Sequence, residues 1–308
     1  MAKPDRFVIR RTAEGGLSMG YSAWALYADC PEHMRLAYLA GGQGLEERAQ
    51  VVGESLLYGK LWHAGIRARM AGLDEHGVFE AVVTETSDDL SNDIEGTCLA
   101  VHADLDWFEA NSHGLMQARV LLAEQTLVAR VGKHEMRGTP DLVLALPASW
   151  GGQTALIDWK TVDPWRGLTD ARAHDRARMS AQVTFYLALL RAARPEAATC
   201  DAQHVLIPRQ VTNALAKIAS PSFKGKTKAA DIAIKAIGIH RTPEQLDEML
   251  MRFEQTADEL LAREGMSIWA RNDAACVKPW GVCKYAKICH VTPALRAAVI
   301  DELYTRRI

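Results

Sequence analysis

GTPDLVLALPASWGGQTALIDWKT, residues 138–161, reads as two short β-runs on either side of a Pro/Ser/Gly turn, and each run carries an aspartate where an apolar residue would pack better. Asp141 precedes Leu142, Val143 and Leu144, and Asp158 follows Leu156 and Ile157. An ionised carboxylate loses several kcal/mol on leaving water unless a cation or hydrogen-bond donors replace the solvent. Two carboxylates delivered by neighbouring strands to one end of a sheet suit a hard divalent cation, which prefers oxygen ligands and keeps several waters of its own. Asp158 and Lys160 are two apart on one strand, so they share a face while Trp159 points to the other. An ammonium there can orient or deprotonate a metal-held water and stabilise charge on a scissile phosphate. The chemistry indicated is phosphodiester hydrolysis. Taken alone, Asp-x-Lys also fits a surface ion pair beside a turn-bonding aspartate, so the rest of the chain has to choose.

The chain has 308 residues, 48% of them hydrophobic, enough to bury a full core. We expect one domain over 1–308, with an N-terminal helical part at 1–112, a core at 113–210, and C-terminal helices with a cysteine cluster at 211–308. The opening MAKPDRFVIRRTAEGG lacks a continuous apolar run, and no later stretch reaches the roughly 18 apolar residues of a membrane span. A cytoplasmic protein with no membrane partner is the expectation. The net charge of −2 lacks the basic footprint of a nucleic-acid coat protein, so any phosphate-binding surface has to be local.

Periodicity gives helix, then strand, then helix. Residues 22–40 read as helix broken near Pro31, 45–71 and 90–111 as longer helices, and 170–194 as one amphipathic helix. Between them, the Val- and Leu-rich stretch from 116 reads as three antiparallel strands with a fourth at 153–161, and 202–210 as one more. The class is α/β around a small mixed sheet. Residues 218–232, rich in Ser, Pro, Gly and Lys, are the candidate mobile loop.

GTPD, ending at Asp141, and Asp158-Trp159-Lys160 resemble the core of the PD-(D/E)XK nuclease superfamily. GKLWH, Gly59 to His63, resembles the Gly-x-x-x-His helix signature of its RecB-like exonuclease branch, and QVTFY, Gln182 to Tyr186, resembles the Gln-x-x-x-Tyr motif of the same branch. The resemblance covers residues 59–186. It implies a restriction-endonuclease-like core, a small mixed sheet flanked by helices, with helical additions at both ends. It also implies that His63, Asp141 and Asp158 hold Mg²⁺ or Mn²⁺, that Lys160 assists the water, and that Gln182 and Tyr186 position the strand. Spacing is compatible: Gly59 and His63 share a helix face, so the glycine would let that face approach the sheet closely. Gln182 and Tyr186, one turn apart, suit a phosphate or a stacked base. Plainer readings remain beside these, namely a satisfied helix histidine, an ordinary Gln/Tyr pair next to core residues Phe185, Leu187 and Leu190, and Glu135 as a competing carboxylate.

Six cysteines add a second theme. Cys276, Cys283 and Cys289 fall close together around Pro279 and Gly281, which is metal-ligand spacing more than core packing. With Cys30, which precedes Pro31, the set resembles that of the iron–sulfur members of the RecB-like branch, including CRISPR adaptation nucleases, and so implies a [4Fe–4S] cluster tying the two ends of the chain together. The interval 277–282 is longer than those families show, which leaves zinc open, with His290 in place of Cys30. Cys98 and Cys200 sit alone in apolar contexts and read as small buried hydrophobes.

These readings combine into a metal-dependent deoxyribonuclease, an exonuclease of DNA recombination, repair or phage DNA processing, acting on single strands or duplex ends. A CRISPR-associated nuclease trimming spacer precursors is the runner-up, and a catalytically inactive DNA-binding scaffold the reading from another class. Lys224, Lys226, Lys228 and Arg176 are the candidate DNA-backbone contacts, with Trp165 and Phe223 as candidate stacking residues and Trp159 as core. The chain has no Gly-x-x-x-x-Gly-Lys-[Ser/Thr] loop, so any unwinding falls to a helicase or recombination partner.

Overall fold

The structure, a computed structural model, describes residues 9–40, 44–47, 54–86, 94–163, 171–195, 201–225, 228–266, 268–278 and 281–306. Its elements begin with β1 (Arg10–Arg11), β2 (Leu17–Gly20), α1 (Tyr21–Asp29), α2 (Pro31–Tyr38), β3 (Leu45–Glu47), α3 (Glu54–Ala71), α4 (Glu75–Thr86) and α5 (Ile94–Asn111). Strands β4 (Arg119–Ala123), β5 (Leu127–Val131), β6 (His134–Gly138), β7 (Leu142–Ala145) and β8 (Thr154–Val162) follow. Then come α6 (Ala171–Arg178), α7 (Ala181–Ala193), β9 (Asp201–Pro208), α8 (Val211–Ala219), β10 (Lys235–Ile239) and α9 (Pro243–Arg263). The chain closes with β11 (Val277–Lys278), β12 (Gly281–Val282), α10 (Ala286–His290), α11 (Arg296–Leu303) and β13 (Tyr304–Arg306). Among the described residues no helix is long and apolar enough to cross a membrane. The chain divides into two compact units, a central one of Val51–Gln125 with Thr139–Thr242, and a terminal one of Met1–Gln50, Thr126–Gly138 and Pro243–Ile308.

The central unit is built on a mixed five-stranded sheet in the order β10-β9-β8-β7-β4. Only β8 and β9 are parallel, and a parallel pair needs a crossover, which runs through α6 and α7. Ala155, Leu156 and Ile157 of β8 are fully buried because apolar residues cover both faces of the sheet. On one face Ile157, Trp159, Val205 and Ile207 pack with Leu61 and Trp62 of α3 and Leu105 and Phe108 of α5. Phe108 stands edge-on to Trp62 (5.5 Å, 90°) and to Trp159 (5.7 Å, 89°), the favoured geometry for ring quadrupoles. Trp159 is therefore core, as expected. The other face carries Leu206 and Ile237 beneath Ala177 of α6, and strand alternation puts Asp158 and Lys160 on that side. Asp104 of α5, almost wholly buried, accepts the Val211 amide at 2.8 Å and the Tyr58 hydroxyl, and so caps α8 from outside the helix. Burial raises both the Asp104 carboxyl and the Tyr58 phenol above their ordinary ranges.

The terminal unit has its own sheet, β1-β2-β6-β5, with β2 and β6 parallel. Helix α9 lies against β5 and β6 and buries Leu246, Met249, Phe253, Ala257 and Leu260, one helical stripe. His134, wholly buried, accepts the Leu17 amide on Nδ1 at 3.0 Å and sets Nε2 3.2 Å from Asp258 Oδ1. β13 pairs with β3, and the Tyr285 hydroxyl donates to the Leu45 carbonyl at 2.5 Å, so the last part of the chain packs on the first.

Several expectations need correction. Four strands, not three, lie between 116 and 145, and they separate: β4 and β7 join the central sheet while the β5–β6 hairpin joins the terminal one. Alternation identifies a strand but not its partner. Residues Leu45–Glu47, expected as helix, are a strand, and Glu54–Ala71 are helix. The helix expected across 170–194 is two, because the Ser180 side chain accepts the Val183 amide at 3.3 Å and starts α7 afresh. The stretch 218–232 includes the end of α8 and a 3₁₀ turn at Ala229–Asp231.

The glycines of α3 also exchange roles. A Cβ at Gly59 would meet Thr161 Oγ1 at 3.8 Å, ordinary contact, whereas one at Gly65 would lie 2.5 Å from Leu105 Cδ1 and 2.8 Å from the Phe79 ring. Close approach is thus required at Gly65, not Gly59. Gly59→Ala is expected to gain up to about 1 kcal/mol from helix propensity. Gly65→Ala is expected to lose stability on balance, since overpacking costs about 1–3 kcal/mol. Urea midpoints of the two variants check the contrast.

Candidate active site

The β7–β8 register pairs Leu142 with Ile157, so one step further Asp141, the residue before β7, stands opposite Asp158 of the middle strand. The Trp159 amide, between the two functional residues of β8, donates to Asp141 Oδ2 at 3.2 Å. Asp141 Oδ1 lies 3.5 Å from His63 Nδ1, which α3 presents one residue past the buried Trp62. Lys160 Nζ donates to Asp158 Oδ1 at 2.8 Å. The strand aspartates are thus answered: Asp141 is held by a backbone amide and an imidazole, and Asp158 by the ammonium two residues on. Beside Asp141, the Glu124 amide donates to the Asp141 carbonyl at 3.1 Å. Glu124, which has a left-handed φ of 41°, pairs with Arg67, one turn beyond His63.

Asp158 is only 3% exposed. Burial alone would raise its carboxyl, but the contacts of His204 and Lys160 outweigh it and hold the group below its ordinary 3.8. His204 of β9 was not among the sequence candidates. Its Nδ1 lies 2.7 Å from Asp158 Oδ2, and the only sequence signal is a polar residue inside the apolar run HVLIP. The three expected ligands do not close into one cage: His63, Asp141 and Asp158 form two adjoining pairs, His63–Asp141 and Asp158–Lys160, bridged by the Trp159 amide. The physical reason is competition, since Lys160 and His204 draw Asp158 along the sheet face while Asp141 is drawn to the amide and α3. The donors, carboxylate oxygens with one imidazole, still fit a hard divalent cation.

Gln182 and Tyr186 are half-buried one turn apart on α7, the helix that packs on β9. Arg176 on α6 and Lys224 and Lys228 after α8 are exposed, while Lys226, Trp165 and Cys200 lie outside the described residues. Glu135 sits on β6 of the terminal unit, register partner of Arg130.

A second cluster forms in the terminal unit. Cys30, buried between α1 and α2, accepts the Asn272 amide on sulfur at 3.5 Å, and the Asn272 side chain donates to the Asp29 carbonyl at 2.9 Å. The Cys283 amide donates to the Cys276 carbonyl at 2.7 Å across the β11–β12 hairpin. Burial first, then Cys283, Asp273 and Cys30, raise the Cys276 thiol. Burial, with Glu32 and Cys283, pushes Cys289 up to about 11. The Cys276 thiol donates to the Asn272 carbonyl at 3.9 Å, beside the amide that reaches Cys30, so these two sulfurs share one neighbourhood, and all four expected thiols are free. Two histidines and an aspartate join them. Asp273, Cys276 and His290 offer donor atoms within 4.8 Å of one another, the one such set among the described residues, and Cys283 Sγ is 3.6 Å from His33 Nδ1. Cys98 is half-buried on α5 with its thiol raised by burial, an ordinary packing residue.

A family model described as the PD-(D/E)XK nuclease superfamily matches residues 18–290. No curated protein matches the chain. Among solved structures, "Crystal structure of SSO0001" is similar at 16% identity over 81% of this chain and 88% of that one, with a TM-score of 0.29, too slight a likeness to carry an argument.

A carboxyl held below its ordinary range stabilises the fold at neutral pH and loses that contribution as the pH falls through its folded-state value. In EDTA, the stability difference between the parent and Asp158→Asn is expected to be full at neutral pH and to shrink once the pH passes below the ordinary Asp value of about 3.9. Urea unfolding at a series of pH values measures it, and a difference independent of pH contradicts it.

Proposed function

Because the chain belongs to the PD-(D/E)XK nuclease superfamily, we propose that it is a deoxyribonuclease dependent on Mg²⁺ or Mn²⁺ that degrades DNA from an end, in recombination, repair or phage DNA processing. The observation that carries this reading is the Asp158–Lys160 contact of 2.8 Å on β8, with Asp141 bonded to the amide between them. His63, Asp141 and Asp158 would hold the ion, which when bound lowers the pKa of a water and polarises the phosphate. Lys160, its side chain 41% exposed beside a buried carboxylate, can donate to the attacking water and to the charged phosphate oxygens. Gln182 and Tyr186 offer an amide and a phenol on one helix face to position the strand. Exposed Arg176, Lys224 and Lys228 are suited to the DNA backbone, whose contacts are salt-dependent.

For the cysteine neighbourhood, the four thiols of the terminal unit support a [4Fe–4S] cluster. The tighter set of Asp273, Cys276 and His290 favours zinc as the second reading, because one ion gathers its ligands more closely than a cubane spaces its thiolates.

With Mg²⁺ or Mn²⁺, purified protein is expected to degrade linear DNA and spare closed circles, and EDTA to stop it. Asp141→Ala, Asp158→Ala and Lys160→Ala are each expected to lower the rate by about 100-fold or more. Variants that cut as fast as the parent would remove the assignment. Anaerobically purified protein is expected to be brown, whereas a colourless sample holding zinc selects the second reading.

A further inference from the structure

We propose that His204 is a positioning residue of the nuclease site, gripping the second oxygen of Asp158 and so fixing the plane in which that carboxylate meets the metal. The inference rests on the reading of Asp158 as a ligand given above.

His204 and Asp158 are register partners across the parallel β8–β9 pair, so alternation sends both side chains to the same face. His204 is 8% exposed. Its Nδ1 stands 2.7 Å from Oδ2 while Lys160 Nζ stands 2.8 Å from Oδ1, so groups from two strands hold the two oxygens. Each carboxylate oxygen has two lone-pair directions, and one on each oxygen remains for an ion. Without His204, Asp158 would pivot about its bond to Lys160.

A structural histidine looks different in this same chain. His134, also buried, has Nδ1 satisfied by a backbone amide and Nε2 facing Asp258. His204 Nδ1 and Asp158 Oδ2 are both shielded from solvent and stand 2.7 Å apart, and among the described residues neither atom has a second partner. A buried histidine whose Nδ1 is given over to one carboxylate oxygen is not required by the strand pairing, which the backbone supplies. Its place there is explained if the pair also serves the ion. Groups that hydrogen-bond a ligating carboxylate set its direction, and their loss costs about 10- to 100-fold in metal affinity or activity.

The test is Mn²⁺ binding to the full chain by calorimetry, alongside cleavage. His204→Leu removes the grip at similar volume and is expected to weaken Mn²⁺ binding about 10- to 100-fold. His204→Asn places an amide donor near the Nδ1 position and is expected to recover most of the affinity, whereas His204→Gln, whose amide reaches toward Nε2, is not. If His204→Leu fails to fold, the Asn–Gln comparison decides alone. Parent-like Mn²⁺ binding by His204→Leu, or equal loss in Asn and Gln, overturns the proposal. Asp158→Ala separates the two readings: if it binds Mn²⁺ like the parent, the nuclease reading itself fails, and if it loses binding while His204→Leu does not, only the role of His204 falls.

Discussion

A carboxylate buried on the middle strand of the central sheet is the constraint around which the rest is arranged. Asp158 has given up its water, and such a group is tolerable only if charge and donors reach it from the protein. Lys160 supplies the charge from the same strand, and His204 approaches from the next. His204 can do so only because β8 and β9 run parallel in this register, which in turn requires the crossover through α6 and α7.

The opposite face of the sheet explains why this arrangement is held firmly. Trp159, flanked in sequence by the two charged residues, is locked against Phe108, which in turn stands edge-on to Trp62, so the backbone that carries Asp158 and Lys160 has little freedom. That same locked backbone donates the amide that holds Asp141. Helix α3 contributes twice: it brings Trp62 into the core and His63, the next residue, to Asp141. Reactive side chains on rigid, well-packed elements keep their geometry better than those on loops.

The terminal unit follows a different logic. It is assembled from three separate stretches of chain, the first residues, a hairpin at 126–138 and everything after 243. Strand pairing of β13 with β3 and the Asn272 bonds to the Cys30 region join the ends of the chain. A metal group bound by Cys30 and the C-terminal thiols would close the same long loop a second time, and cross-links that close long loops remove the most chain entropy.

How much of this was legible in the sequence follows from the range of each interaction. Asp158, Lys160 and the inward Trp159 are set by alternation along one strand, and the helix break at Pro31 by one proline, so local pattern sufficed. The motif order of the family resemblance likewise paired His63 with Asp141, and the two lie 3.5 Å apart. What local pattern does not carry is partnership. The 126–138 hairpin alternates as a strand pair should, but only tertiary packing assigns it to the second sheet. His204 reads as one polar residue in an apolar run until the parallel register sets it beside Asp158. Gly59 and Gly65 share one helix, and only the neighbours of each, a threonine hydroxyl or a Leu/Phe wall, tell which must lack a side chain. The sequence by itself determined which residues lie on each face of each element, because that depends on bond geometry. The tertiary structure alone decided which faces meet, because that depends on burial summed over the whole chain.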